Sequence, residues 1–352
     1  MKIPFLGLKR QYANLKDELL EATDAALREG QLVNGLFTRS FEQWLCAKTG
    51  AKYAVTVHSG TQALEIIARA AKVSLSQRGP EYKVRLPNLT YIATLNAFLQ
   101  AGYEVELVDT DKYGIMEVPD QYLSGHFTCV MGYGGRKPWS GHYYYSMTRT
   151  IVDGAQHWLE CGGDTGYGMA ISFDPTKNLP SSGNGGAIVT DYYDLYDFAM
   201  NYKDNCKFDH HAPGTNSKMS EQECAQLIVR TRYIDEWQAR RKHIAQYYCE
   251  RFRDLPIKCL SATDDPHAQH KFVVYTYDRN RLKTNLLLNG IESKVHYDYV
   301  LGDLQTARTM VKPDMLSMSV MLSRGVLSLP NYPELTDSEV EYIAETVISH
   351  YK

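Results

Sequence analysis

Four short stretches hold the residues able to do chemistry: HSGTQALEIIARAA from His58, NLTYIAT from Asn88, TIVDGAQHW from Thr150 and SFDPTKNLPSSGNGG from Ser172. In the first, a strand pattern ends at His58 and Ser59-Gly60-Thr61 opens a helix. Unpaired amides at a helix start attract anions, helped by the helix dipole. Gly60 lets a ligand approach the backbone, and the Thr61 hydroxyl can add a hydrogen bond. Plain N-capping by Ser59 accounts for the same residues. Asp153 stands at the carboxyl end of an apolar strand, where a carboxylate is expensive unless it meets a cation or donors. Capping of the following turn would also explain it. Gln156, three residues on, can face the same pocket, and His157 beside it reads as structural. In the last stretch Pro175 stiffens a turn and Lys177 follows a strand end. Lysine is the side chain that forms a Schiff base with an aldehyde. Taken alone, Lys177 reads as a solvated loop lysine. Gly183, Gly185 and Gly186 allow tight turns beside it.

These elements together specify one cofactor, pyridoxal 5'-phosphate, with pyridoxamine phosphate as its intermediate form. It needs an anion cradle, a carboxylate beside the pyridine nitrogen, a lysine for the aldehyde and a flat group over the ring. Gly60, Thr61 and Ser172 supply the first, Asp153 the second, Lys177 the third and Tyr91 the fourth. No strand feeds a GxGxxG that opens a helix, and GxxxxGK[ST] is absent. A dinucleotide-binding dehydrogenase and a P-loop ATPase therefore lack support.

The surrounding pattern predicts strands that deliver these residues. An amphipathic helix is expected from about Arg10 to Arg28, with Tyr12, Leu15, Leu19, Ala22 and Ala26 on one face and a stop at Gly30. RSFEQWLCAKTG is a second helix ending on Gly50. Then KYAVTVH, YKVRLP, YEVELVD, FTCVMGY, RTIVD, GMAISF and GGAIVTD read as strands, with helices at SGTQALEIIARAAK and TYIATLNAFLQAG. Such alternation implies an α/β fold, a three-layer α/β/α domain with a mostly parallel sheet. Ligands then bind beyond the strand carboxyl ends. Ser220 to Phe252 reads as one long helix or two joined. HKFVVYTY, IESKVHY and a last helix, TDSEVEYIAETVISHY, complete a smaller C-terminal α+β domain. That helix is capped by Thr336 or Asp337, with Glu339 in capping-box reach. The boundary is placed at 1–239 and 240–352.

Composition excludes several classes. The net charge of −3 gives no basic footprint for a nucleic acid polymer. Seven cysteines at wide spacings, without a CxxC pair, argue against disulfides and metal sites. Reduced thiols in a cytoplasm are expected. The N-terminal apolar run is too short for a signal peptide, and no stretch has the length of a membrane helix. Among 26 tyrosines, some are expected to line a cleft.

Along nearly the whole chain the sequence resembles the DegT-type sugar aminotransferases, a fold-type I pyridoxal phosphate family. QLVNGLFTRSFEQWL, SGTQAL, PNLTYIATLNAFLQAG, VDGAQ, SFDPTKNLPSSGNGGAIVT, GTNSKMSEQECAQL and GVLSLPNYPELTDSEV match its segments in its order. The resemblance implies that Lys177 holds the cofactor and shuttles protons, Asp153 pairs with the pyridinium nitrogen, Gln156 contacts the ring hydroxyl side and Tyr91 stacks on the ring. Gly60, Thr61 and Ser172 would bind the phosphate. Asn216 would reach across from a second subunit, which implies a homodimer with shared sites. An amino acid, glutamate foremost, would donate the amine to a ketone, most readily on a nucleotide-linked sugar. Gly154, Lys218 and Met131 stand where the family usually has alanine, arginine and histidine, and the segment from Lys72 to Arg85 lacks its usual turn. Dehydratases of this group replace the lysine with histidine, whereas Lys177 is present. A non-catalytic, cofactor-binding relative is the other alternative. Asn34, Tyr133, His296 and Tyr297 are candidates to line the acceptor site, and ordinary loop packing explains them equally well.

Overall fold

Short apolar strands, each followed by a turn and a helix or loop, are stacked so that most point the same way. The computed structural model describes residues 1–75, 82–117, 127–138, 149–207, 213–261, 266–307 and 317–352. Helices α1 (Leu8–Arg28) and α2 (Leu36–Thr49) precede β1 (Tyr53–Val57), α3 (Gly60–Leu75), β2 (Lys83–Pro87), α4 (Ile92–Gln100) and β3 (Glu104–Val108). Then follow β4 (Phe127–Met131), β5 (Thr150–Asp153), β6 (Gly168–Ser172), β7 (Gly186–Thr190) and α5 (Tyr193–Tyr202). The seven strands form one sheet in the order β1-β7-β6-β5-β4-β2-β3. β2, β3, β4, β5 and β6 pair in parallel, and β7 pairs antiparallel with both β1 and β6. β7 returns from the loop after Ser172 to run against both of its neighbours, β1 and β6.

Alternation along the strands splits the core into two faces. Val55, Val57, Ile151, Ala170 and Ile188 pack under α3, α4 and α5. Their neighbours Ala54, Val152, Met169, Ile171, Ala187 and Val189 pack under α1 and α2 and under α6 (Glu221–Thr231). This is the expected three-layer arrangement, buried on both sides.

The Ser220–Phe252 stretch divides into two helices, α6 and α7 (Ile234–Arg251), parted at Arg232 and Tyr233. β8 (Lys258–Cys259), β9 (Phe272–Tyr275), α8 (Arg279–Leu288), α9 (Ser317–Gly325), β10 (Val326–Leu329) and α10 (Asp337–Tyr351) complete the described elements. A three-stranded antiparallel sheet, β10-β9-β8, is covered on one face by α7, α8 and α10. Its other face presents Val273 and Val326 to Leu89, Met131 and Tyr133, which follow or end strands of the large sheet. The small sheet is thereby pressed against the strand ends where the candidate residues lie. A cut at 239/240 falls inside α7, and Ile3 joins the C-terminal core through a bridge to Ile291. α10 starts at a complete capping box of Thr336 and Glu339, and Glu339 also takes a forked pair of hydrogen bonds from Arg10 at 2.7 and 2.6 Å. That pairing fixes the N-terminal segment beside the small sheet.

Candidate active site

The carboxyl ends of β1, β2, β5 and β6 open on a single cleft of about 450 Å³, in the range of small-molecule sites. Gly60, Thr61, Tyr91, Asp153, Gln156, Ser172, Lys177, His296 and Tyr297 all line it. Sheet register explains the convergence. Val57 and Ser172 both sit opposite Gly186, and Asp153 lies beside Met131 and Ala170.

At the α3 start, the Gln62 amide donates to Ser59 Oγ at 3.2 Å. Ser59 is thus an N-cap, as one reading of the sequence allowed. The Gly60 and Thr61 amides stay free of protein acceptors among the described residues and face the cleft. The space left by the missing Gly60 side chain is filled by Ser172: a Cβ there would stand 2.7 Å from the Ser172 Cβ. Gly60 therefore serves the close seating of α3 on β6, which brings the helix start and the Ser172 hydroxyl together. Gly186 does the same from β7, since a side chain there would fall on the Ser59 carbonyl and the Gly60 nitrogen. Gly186→Ala is expected to lower unfolding stability by about 1–3 kcal/mol, because the obstructing atoms are backbone. Gly183→Ala, which would meet only the mobile end of Glu223, should be tolerated. Comparing the two melting temperatures checks this, and equal values would refute the close-approach explanation.

Asp153 is buried at the end of β5, with 6% of its surface exposed. Its Oδ1 accepts from the Ala155 amide at 3.1 Å and its Oδ2 from Thr94 Oγ1 at 2.8 Å. Turn capping and a place in the cleft are both realised. Burial raises the Asp153 pKa, while Thr94, the Ala155 amide and the charge of Lys177 pull it down. Thr94, in the first turn of α4 and bonded also to Thr90 at 3.1 Å, went unnoticed in the sequence. Its signal was a hydroxyl in the first turn of the helix that Tyr91 caps, four residues after the hydroxyl of Thr90. Gln156 Oε1 accepts from the Gly134 amide at 2.9 Å, and its Nε2 donates to Tyr297 Oη at 3.3 Å.

Lys177 closes a turn in which its amide donates to the Asp174 carbonyl at 2.9 Å. Pro175 occupies the position where its fixed φ suits the turn, and Asp174 Oδ1 accepts from the Thr176 amide and hydroxyl at 2.9 and 2.6 Å. The loop then returns to the sheet: the Ser181 amide donates to the Phe173 carbonyl, and the Phe173 amide to that of Gly185. Burial lowers the Lys177 pKa, opposed by Asp153 and Asp174. A lysine with a depressed pKa is present as the free amine to a greater extent than a solvated one, and the free amine is the form that attacks an aldehyde or accepts a proton.

The remaining candidates are placed differently. Tyr91 lines the cleft mouth, 54% exposed, with its ring 5.9 Å from that of Tyr297. His296 lines the cleft and bonds Ser328 Oγ through Nδ1 at 2.9 Å; burial, with nearby Lys271, Lys177 and Lys294, pushes its pKa down to about 2. Tyr133 is not a lining residue. It is buried in the packing between the two sheets, and its hydroxyl donates to the His296 carbonyl, so it supports the cleft wall from behind. Asn34 lies on the loop before α2 at φ 53°, half-exposed and outside this cleft. Asn216 is exposed, outside the cleft, next to Ser217, whose carbonyl accepts from the His58 amide at 3.0 Å. Phe5, Lys271 and Lys294 also line the cleft and were missed. They come from the N-terminal segment and the small sheet, and nothing local in the sequence ties them to Lys177.

The fold and cleft define an α/β protein that binds its ligand beyond parallel strand ends, with a helix start for an anion and a buried carboxylate and lysine beside it. The DegT/DnrJ/EryC1/StrS aminotransferase family model matches residues 13–120 and 153–348, and the chain belongs to that family. It is 29% identical over 363 residues to a dTDP-3-amino-3,6-dideoxy-alpha-D-galactopyranose transaminase of Aneurinibacillus thermoaerophilus, covering 98% of each chain. It is 27% identical over 376 residues to a pleiotropic regulatory protein of Geobacillus stearothermophilus, covering 100% of this chain and 99% of the relative. Among solved structures it is similar to S. venezuelae DesV in complex with a ketimine intermediate, with a TM-score of 0.87 at 26% identity and coverage of 100% and 99%.

Proposed function

We propose that this protein is a pyridoxal-phosphate-dependent aminotransferase that moves an amino group from an amino acid, glutamate foremost, to the ketone of a nucleotide-linked keto-sugar. The observation that carries the reading is the meeting of Lys177, Asp153 and the Gly60–Thr61 amides in one cleft. The residues fit the cofactor. Asp153 is a buried carboxylate whose raised pKa calls for a cationic partner, and the free amides of α3 with the Ser172 hydroxyl suit a phosphate. Pyridoxal phosphate would supply an aldehyde to carry the amine and a ring to accept the donor's electron pair.

Within this reading, Lys177 Nζ takes a proton from the donor carbon and returns it as acid, a role that its depressed pKa favours. Asp153 would hold the proton on the ring nitrogen, Gln156 would contact the ring edge and Tyr91 would cover its face. Relatives named as transaminases of dTDP- and UDP-linked sugars support the acceptor class. Asn216 and Asn34 lie outside this cleft, which suits a homodimer in which exposed Asn216 serves the other subunit. The seven free thiols suit a cytoplasmic setting, and no described helix is long and apolar enough to cross a membrane. α7 would connect a cofactor-binding domain to a small C-terminal one.

A binding-only protein is the second reading, suggested by the relative named as a regulatory protein; against it stands the full set of Lys177, Asp153 and Gln156 in the cleft. One experiment separates them. Protein loaded with pyridoxal phosphate should lose the visible absorbance of the bound cofactor when glutamate is added and release 2-oxoglutarate. Keto-sugar nucleotides should then restore the band. Absence of bleaching with every amino acid tried would overturn the aminotransferase reading.

A further inference from the structure

Lys271 stands at the head of β9, only 7% exposed, and still lines the cleft. Lys294 lines it too, on the segment that bridges to Ser328 of β10. The two ammonium groups lie 5.7 and 5.5 Å from the Phe5 ring centre, and the same ring stacks on His296 at 5.7 Å. Neither ammonium has an ion pair or hydrogen bond among the described residues. A buried ammonium without an acceptor is expensive, and a second cation next to it makes it more so. Burial, reinforced by Lys177, Arg241 and Lys294, drives the Lys271 pKa well down, and Asp174 pulls the other way. Proteins seldom keep such a lysine in a cleft unless something binds it. These two lysines come from the small sheet, whereas the free amides and Ser172 that suit a phosphate come from the large one.

We infer that Lys271, with Lys294 beside it, forms an anion subsite that receives a carboxylate of the substrate bound in the cleft. The inference rests on the aminotransferase reading for the identity of that substrate, and the lysine pair stands independently of it. The carboxylate can belong to the amino-acid donor or to an acidic keto-sugar. An arriving carboxylate would restore the charge on Lys271 that burial disfavours, and Lys294 would draw the anion in at the exposed edge. The apolar Phe5 ring limits competing water.

The test uses cofactor-loaded protein. Glutarate, an unreactive dicarboxylate of the donor's length, is titrated by calorimetry into wild type, Lys271→Gln, Lys271→Arg and Lys294→Gln. A tenfold or larger loss of glutarate affinity in Lys271→Gln, a smaller loss in Lys294→Gln and retention in Lys271→Arg support the subsite and assign it to the donor. Unchanged glutarate affinity, with at least tenfold weaker use of a keto-sugar nucleotide bearing a ring carboxylate and no change for its neutral counterpart, supports it and assigns it to the acceptor. No change in either arm overturns the inference, as does loss of bound cofactor from Lys271→Gln, which would make the lysine a phosphate ligand. Should Lys271→Gln fail to fold, exposed Lys294→Gln carries the same comparison. A wild type that binds glutarate but is bleached by no amino acid would sink the aminotransferase reading and leave the subsite standing.

Discussion

Lys177→Ala is expected to leave a folded protein that transfers no measurable amine. Removal of a general acid–base alone costs on the order of 10²–10⁴-fold, and this lysine would also hold the cofactor covalently, so the loss should reach or exceed the upper end. The fold should survive. Lys177 has no hydrogen bond from its ammonium among the described residues, and the turn that carries it is closed by Asp174, Pro175 and Thr176 through groups the substitution leaves in place. Removing a cation whose pKa is lowered by burial should not destabilise the apoprotein. The deciding measurement is borohydride reduction of the loaded wild type followed by mass analysis of its peptides. The cofactor mass should appear on the peptide containing Lys177. Because Lys271 and Lys294 line the same cleft, label on either of their peptides instead would overturn the assignment.

Asp153→Asn should separate catalysis from stability. Asp153 would face the ring nitrogen of a bound cofactor; an ion pair at contact range of about 4 Å and an effective dielectric of about 20 is worth roughly 4 kcal/mol, which sets the scale of the loss. If that is expressed in the transition state, single-turnover transfer falls on the order of 10³-fold. The cofactor-free protein should behave oppositely. The folded pKa of Asp153 lies above the unfolded one, since burial raises it more than Thr94, the Ala155 amide and Lys177 lower it. Stability is then lost as pH rises through that window, and the ionised carboxylate is a cost at neutral pH. Apo Asp153→Asn should melt no lower than apo wild type at pH 8, with any advantage vanishing on acidification into the carboxyl range. A marked drop in apo melting temperature, with transfer intact, would make Asp153 a structural cap and nothing more.

Several residues show where sequence reading reaches and where it stops. Ser59 and Asp153 each had a capping reading and a ligand-binding one; the structure shows both caps and places both residues at the cleft. Ser59 caps Gln62 while the next two amides find no acceptor among the described residues, and Asp153 caps Ala155 while it lines the cleft. Gly60 was read as room for a ligand, but its space is taken by Ser172. Tyr133 was read either as a lining residue or as ordinary packing, and it packs, supporting His296 from the layer behind. Lys271 gave no signal, because a lysine heading an apolar strand looks like a solvated strand end until the small sheet is folded against the cleft.

The alternation of strands and helices, the turn at Pro175, the capping box at Thr336 and the placing of Asp153 and Lys177 near strand ends were legible in the chain alone. Each depends on neighbours within a few positions, where periodicity and turn chemistry act. Tertiary structure decided the rest: the reversal of β7, the seating of Gly60 on Ser172, the hydrogen bond from Thr94 to Asp153, and the arrival of Phe5, Lys271 and Lys294 at the cleft. The reason is that strand order and the docking of one sheet on another are set by the burial of whole faces. That burial joins residues far apart in the chain, and no local pattern records it.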